Sequence, residues 1–395
     1  MIRMKAEASG RLQRLGRIPS EVKCSRGMHV ACCIISLLFL AACTSSAPLL
    51  PAAPAAPEVA ATPTAAVFPT VQPTATPRPA PTITPTPTPE LRQLTTGQCC
   101  VMPSWSPDSK QVLFIDKPES QAEAGVYAVD IHRAQEPKLS GPVGIYSPDR
   151  SLVAYPIDVR TVVEKLSTGD RWVIPNNGQA LEFSPDNRHV AWEAEAISGP
   201  YDERQNDIFM ANYDGTGAAK VARVYGGGLV GWLPRGSSIL FLGRPSLNTH
   251  LRTLTALDLL TNEAVDLVTA ERISDAGISR DGSWVAYYIS FDSDSARNGI
   301  WVQRTDGSGA RRLDVWGAYQ WRDDSHLLVI PARTSPDQAF EIWEIDAATG
   351  EKQKLTDAAV TSLNILNGDW RVSPDGRNIV FVNSADRNLW LLELP

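Results

Sequence analysis

One short stretch is rewritten along the chain, and it limits the possible folds more than any other feature. Its clearest copies are Trp105-Ser-Pro-Asp-Ser-Lys-Gln-Val-Leu-Phe114, Phe183-Ser-Pro-Asp-Asn-Arg-His-Val-Ala-Trp192 and Val372-Ser-Pro-Asp-Gly-Arg-Asn-Ile-Val-Phe381. Proline presets φ at the second turn position, and Asp or Ser bonds back to the turn backbone. Gly, Asn or Ser follows where φ turns positive. Apolar and aromatic residues flank the turn at strand spacing, so each copy reads as a β-hairpin.

The turn serine marks a period. Copies fall at Ser106, Ser147, Ser184, Leu233, Ser279, Arg322 and Ser373, with separations of 41, 37, 49, 46, 43 and 51 residues. The weaker ones, Trp232-Leu-Pro-Arg-Gly236 and Trp321-Arg-Asp-Asp-Ser325, still align. An apolar second strand follows each turn, as at Val112–Ile115, Ile239–Leu242 and Ile379–Val382. Third and fourth strands follow in most copies: Ile300-Trp-Val-Gln-Arg with Ala310-Arg-Arg-Leu313, and Phe340-Glu-Ile-Trp-Glu-Ile345 with Gln353-Lys-Leu-Thr356. Four strands per unit of about 44 residues predict propeller blades, and an all-β fold throughout 91–395.

The ends of the repeat region complement one another. The last copy ends on a third strand, 388–394, while the first is preceded by Leu91-Arg-Gln-Leu-Thr95, which matches the fourth-strand pattern Gln353-Lys-Leu-Thr356. Strand 91–95 is therefore expected to pair with 388–394, joining first and last blades and removing two open edges. This gives a single β-propeller of seven four-stranded blades. The alternative is six, with the Trp232 or Trp321 unit as an insertion.

Trp-Ser-Pro-Asp turns, Asp-Ile-Phe-like third strands, Asp-Gly turns and Arg-Leu-Thr-like fourth strands together resemble the WD40-like repeats of TolB-type β-propellers. The resemblance covers 91–395 and implies the fold. Because such propellers serve as scaffolds, as regulatory domains of peptidases and in many lipoproteins, it implies no one activity. The domain that precedes the propeller in TolB has no counterpart in 43–90, where a Pro/Thr/Ala-rich segment stands instead.

The N-terminal region suggests an address. A basic stretch is followed by the apolar run Val30-Ala-Cys-Cys-Ile-Ile-Ser-Leu-Leu-Phe-Leu-Ala-Ala42, which is short for a membrane span and ordered like a secretion signal. Leu40-Ala41-Ala42-Cys43 resembles the bacterial lipobox, which implies cleavage before Cys43 and acylation of its thiol and amine. Residues 1–42 are thus expected to be a lipoprotein signal peptide and 43–90 a tether rich in extended, donor-poor proline backbone. An ordinary signal peptide and an uncleaved anchor are the other readings.

The formal charge is −7, from 37 basic and 44 acidic residues. Seven of those basic and two of the acidic residues lie in 1–42, so 30 and 42 remain, a charge of −12. Such a surface argues against nucleic-acid binding.

Catalytic signatures are missing from the sequence. It has no Gly-x-Ser-x-Gly elbow, no His-Glu-x-x-His and no P-loop. Beyond the signal, His132, His189, His250 and His326 sit in or beside predicted strands without triad partners. Catalytic, cofactor-binding and metal-binding residues are accordingly expected to be none, and Cys43 is the one assigned site. Neighbouring Cα atoms lie about 3.8 Å apart, below the usual disulfide range, so Cys99 and Cys100 are expected to be two thiols, with a redox role as the alternative.

Tyr225-Gly-Gly-Gly228 reads as a loop near the channel. Asp292-Ser-Asp-Ser-Ala-Arg-Asn-Gly299 and Tyr201-Asp-Glu-Arg-Gln-Asn-Asp207 read as solvated loops between second and third strands, with calcium as the alternative use of so many oxygens. Trp105, Trp232 and Trp321 share the inner-strand slot, while Trp301, Trp343 and Trp390 share the third-strand slot. Recurrence at one position assigns them to inter-blade packing.

These features favour a binding module: a monomeric, lipid-anchored, extracytoplasmic propeller presenting a rigid ring to a protein or envelope polymer. A hydrolase or lyase at the channel mouth and a small-ligand sensor are the alternatives.

Overall fold

The computed structural model describes residues 89–395, apart from 98, 120–122, 134–135, 334 and 336–337. Cys43, the signal segment and almost all of the tether lie outside the described residues.

The described strands form six antiparallel sheets. Five have four strands, and the sixth has seven because one long strand, Ala219–Trp232, serves two blades. Its first half pairs with Gln205–Asn212, ending at Gln205 opposite Tyr225, and its second half pairs with Ser238–Arg244 through Gly228 to Trp232. Blades 1 to 7 therefore span 101–142, 145–174, 181–225, 228–270, 273–312, 317–354 and 365–393, the last completed by 90–93. Both weak copies, which a six-bladed ring would set aside, begin blades of their own.

Tyr225-Gly-Gly-Gly228 is the middle of that shared strand and not a loop. The cause is close approach: a Cβ at Gly227 would lie 1.9 Å from the Leu242 carbonyl oxygen, so a side chain there would push the two blades apart.

The repeated turn has a fixed hydrogen-bond design. Ser184, fully buried, accepts from the His189 backbone N–H at 2.9 Å and donates to Asp186, whose carboxylate also accepts from the Arg188 N–H. Ser106, Ser147, Ser279 and Ser373 repeat this with Asp108, Asp149, Asp281 and Asp375. Serine recurs at this position because its hydroxyl satisfies an amide that the turn would otherwise leave unbonded while steering the aspartate. Turns of neighbouring blades are also linked, Asp149 N–H to Asn187 Oδ1 at 3.2 Å and Asp375 N–H to Ser109 Oγ at 3.0 Å.

The inner-slot tryptophans have a second, cyclic role. Each donates its indole N–H to the preceding blade's inner strand, two residues before that blade's turn marker: Trp105 to the Arg371 carbonyl at 3.1 Å, Trp232 to Glu182 at 3.4 Å and Trp321 to Gly277 at 2.9 Å. The first of these crosses from blade 1 to blade 7. The third-slot tryptophans Trp301 and Trp390 pack between blades as expected, on the clusters of blades 4 and 5 and of blades 6 and 7. Their indoles bond within their own blade, Trp301 donating to the Arg297 carbonyl and Trp390 to Asp386.

The core lies between blades. Apolar clusters join blades 7 and 1, 2 and 3, 3 and 4, 4 and 5, 5 and 6, and 6 and 7. Alternation sets the partner: Val190 and Trp192 face blade 2, and Ala191 between them faces blade 4.

Ring closure follows the expected pairing. Glu90, Leu91, Arg92 and Gln93 pair antiparallel with Glu393, Leu392, Leu391 and Trp390. The strand ends as its counterpart in blade 6 does. Thr95 Oγ1, buried, accepts the Leu389 N–H at 2.9 Å, as Thr356 Oγ1 accepts the Ile342 N–H at 2.9 Å.

Cys99 and Cys100, expected as thiols, are joined in a disulfide between sequence neighbours. Cys100 adopts φ +86° and is buried in the cluster between blades 7 and 1. A backbone turned out of the extended region is what lets adjacent side chains meet.

Candidate functional site

Inner strands run towards the Ser-Pro-Asp turns, so the opposite end of the ring carries the longer and more varied loops. An aromatic cleft of about 610 Å³ opens there, between blades 5, 6 and 7.

Its walls follow from strand alternation. Tyr287 turns into the cluster with blade 4, so Tyr288 faces blade 6. The Tyr288 hydroxyl donates to the Gly317 carbonyl, and the Tyr319 hydroxyl to the Asp275 carbonyl. Both rings are therefore anchored on backbone. Trp316 stacks on Tyr288 with centroids 5.8 Å apart and planes 25° apart, and Tyr319 leans on it at 5.5 Å. Gln320 bridges blades 6 and 7 by donating to the Trp370 carbonyl at 2.5 Å and accepting from the Val372 N–H at 3.2 Å.

Trp316 is held by its backbone and open at its face. Its carbonyl accepts the Ala332 N–H at 2.7 Å, yet 48% of the residue is exposed. It stands in the connection between blades 5 and 6, outside both repeat slots, which is why repeat logic passes over it. Its spacing of five residues ahead of the slot tryptophan Trp321 is the signal available in the sequence.

A second recess, of about 230 Å³, lies between blades 3 and 4 and holds Glu182 and Glu193. Glu193 accepts the Leu229 N–H at 2.6 Å and fills the space a Cβ at Gly228 would need. Burial raises the Glu193 pKa, with the Leu229 amide opposing. Glu182 keeps contact with water but is walled by protein on most sides. That enclosure, with the Glu193 charge adding to it, pushes its pKa up to about 7.

An unfolded glutamate titrates near 4.3, so the folded state binds this proton more tightly. The resulting stability is full below that value and is lost as pH rises towards 7. Glu182→Gln is therefore expected to melt higher than the parent chain at about pH 8 and equally at about pH 4. Because the group is partly open, solvent screening discounts the gain to about 1 kcal/mol, or roughly 2–4 °C. Thermal denaturation at both pH values checks this.

The histidines are not brought together. His132 lies in blade 1, His189 stacks near Trp232 at 6.2 Å, His250 belongs to a loop of blade 4, and His326 bonds Asp323 at 3.0 Å. The acidic loops serve the protein's own cations. Asp292 is 8% exposed, not solvated, and pairs with Arg297 at 3.2 Å. Residues 205–207 of the second stretch belong to the strand Gln205–Asn212 and are buried, and there Asp207 takes both Arg223, at 2.6 Å, and Lys220. Among the described residues, no group of three or more His, Cys, Asp or Glu gathers as a metal site.

No protein-family model and no curated protein matches the sequence. Solved structures do resemble the fold. An oligogalacturonate lyase from Vibrio parahaemolyticus superposes with TM-score 0.56 at 12% identity, over 78% of this chain and 98% of that one. An oligogalacturonate lyase in complex with manganese gives 0.51 at 15%, over 78% and 91%. TolB from Acinetobacter baumannii gives 0.37 at 14%, over 71% and 78%, too loose an overlap to carry an argument. At these identities the likeness is one of architecture, and the chain is an all-β, seven-bladed β-propeller closed by its N-terminal strand.

Proposed function

We propose that the protein is an extracytoplasmic binding module, held to a membrane through acylated Cys43 and a 43–90 tether, whose loop-bearing face takes an envelope polymer. The secretion-like segment and the lipobox-like Leu40-Ala-Ala-Cys43 support the address. The cleft supports the activity, and one observation carries it: Trp316 presents half of its surface to solvent while its backbone and the stacked Tyr288 hold it still. A rigid, exposed aromatic face suits the flat, C–H-rich side of a sugar ring, and loses little entropy on contact. Polar groups of Ser274, Asp275 and Ser290 rim the cleft and would receive hydroxyls. A polysaccharide is therefore favoured over a protein partner.

Isothermal titration of the mature chain against envelope oligosaccharides tests this. Binding in the micromolar to millimolar range is expected, with Trp316→Ala weakening it at least tenfold and Tyr288→Phe leaving it within about threefold. Equal affinity of Trp316→Ala and the parent chain would remove the cleft from the reading.

The Glu182–Glu193 recess favours a second reading, acid–base chemistry on the same polymer, since a carboxyl titrating near neutrality is suited to proton transfer. Loss of turnover but not of binding in Glu182→Gln would support it.

A further inference from the structure

A third recess on the loop-bearing face, of about 490 Å³ between blades 3, 4 and 5, is lined by Arg244, Arg252 and Arg272 together with the carboxylates of Asp202 and Glu271. Gathering three guanidinium groups costs mutual repulsion, and the carboxylates nearby do little to relieve it. Arg252 pairs with Asp202 at 2.5 Å, but that aspartate is 68% exposed on a loop. No carboxylate among the described residues pairs with Arg244 or Arg272. Arg244 donates once, to the Thr249 carbonyl at 3.2 Å, and its Nε and Nη2 are buried without a partner. A charge shielded from water and left uncompensated raises the potential of the recess around it. Two of the guanidiniums are also steadied by aromatic faces, Arg252 over Tyr201 at 5.2 Å and Arg272 over Phe291 at 5.4 Å.

The recess adjoins the aromatic cleft through backbone, the Arg272 carbonyl accepting the Ser290 N–H at 3.2 Å. Arg272 lies two residues before Ser274, and Phe291 follows Ser290, both cleft residues. A polymer stacked on Trp316 would pass this junction into the arginines.

We infer that the arginine recess is an anion site, and that the polymer taken by this face is an acidic polysaccharide whose carboxylate or phosphate groups enter it. The polysaccharide half of the inference rests on the function proposed above; the anion half stands on the arginines. Arginine suits both oxyanions because its planar fork matches two oxygens at once. The acidic charge of the rest of the protein acts at long range and is screened beyond about 8 Å at physiological salt, whereas the recess acts at contact. That contrast also selects a polysaccharide with spaced charges over a densely charged nucleic acid.

Titration of the mature chain with four probes tests both halves: free glucuronate, an oligomannuronate, a glycerol-phosphate oligomer and neutral maltohexaose. At least one acidic oligomer is expected to bind tenfold or more tightly than maltohexaose, and to weaken as salt is raised. Carboxylate and phosphate sources are told apart by which oligomer wins. Arg272→Gln, an exposed change, is expected to lose about tenfold for the acidic oligomer and nothing for the neutral one. Asp202→Asn, which frees Arg252, is expected to gain severalfold, a change of sign that general destabilisation does not produce. Equal binding of acidic and neutral oligomers would overturn the inference and leave the cleft reading standing. Glucuronate binding that depends on Arg272, without tighter binding of any oligomer, would keep the anion site and overturn the polysaccharide. No binding of any probe would overturn both.

Discussion

A mature chain lacking residues 89–96 is expected to melt on the order of 10 °C below the parent and to associate in solution. The segment supplies the outer strand of blade 7, and with it the four-residue ladder from Glu90–Glu393 to Gln93–Trp390. Leu91 packs on the cluster between blades 6 and 7, and Leu94 on the one between 7 and 1. Full burial of such a side chain contributes about 1.5–3 kcal/mol, and both leucines are partly buried, so the pair alone is worth roughly 2–4 kcal/mol. Typical domain stabilities are about 5–15 kcal/mol, and a protein of this size loses roughly 2–4 °C per kcal/mol. The buried Leu389 amide would also lose its acceptor, Thr95 Oγ1. Leu389–Glu393 would become an open edge, a ready template for pairing with another copy. Circular dichroism melting and size-exclusion chromatography read both effects. A truncated chain that melts with the parent and stays monomeric would mean that closure rests on the remaining contacts, chiefly the Trp105–Arg371 link and the inner strands of blades 1 and 7.

Closure was legible in sequence because the chemistry that ends an outer strand is local. Leu94-Thr95 and Leu355-Thr356 look alike, and they do the same work: the leucine N–H donates to the carbonyl of Leu389 or Ile342, and the threonine hydroxyl accepts the N–H of that same residue. The Ser-Pro-Asp turns are legible for the same reason, since the serine and aspartate bonds that shape each turn lie within five residues. Even Leu233 and Arg322, which lack the serine, keep the backbone closure, Leu233 N–H to the Ser238 carbonyl and Arg322 N–H to the His326 carbonyl.

What could not be read is set by distance across the ring or by crowding. The merging of blades 3 and 4 depends on how closely Gly227 approaches Leu242, and a glycine run alone does not distinguish a tight strand crossing from a loop. The disulfide of Cys99 and Cys100 depends on the left-handed backbone at Cys100. Trp316, Arg244 and Arg272 stand in or beside connections, where no repeat register assigns a direction to the side chain. Glu182 sits in register within its strand, but its raised pKa comes first from the walls of the recess and then from the Glu193 charge, and neither can be counted along the chain.

Trp370→Ala is expected to cost about 3–5 kcal/mol, while Trp316→Ala should change stability by no more than about 0.5 kcal/mol. Both tryptophans line the aromatic cleft, and composition cannot tell them apart. Trp370 is 2% exposed and packs among Ile342, Ile365 and Phe381 where blades 6 and 7 meet. Removing its ring leaves a cavity that rigid sheets on both sides cannot collapse into, and loosens the strand whose carbonyl receives Gln320. Trp316 has one face on Tyr288 and the other in water, so its loss opens no enclosed space. The two variants therefore separate structure from binding. Chemical denaturation should show a lowered midpoint for Trp370→Ala with an unchanged slope, and a parental curve for Trp316→Ala. If Trp316→Ala also unfolds early, its ring belongs to the packing between blades 5 and 6, and any binding loss in that variant would no longer report on a ligand.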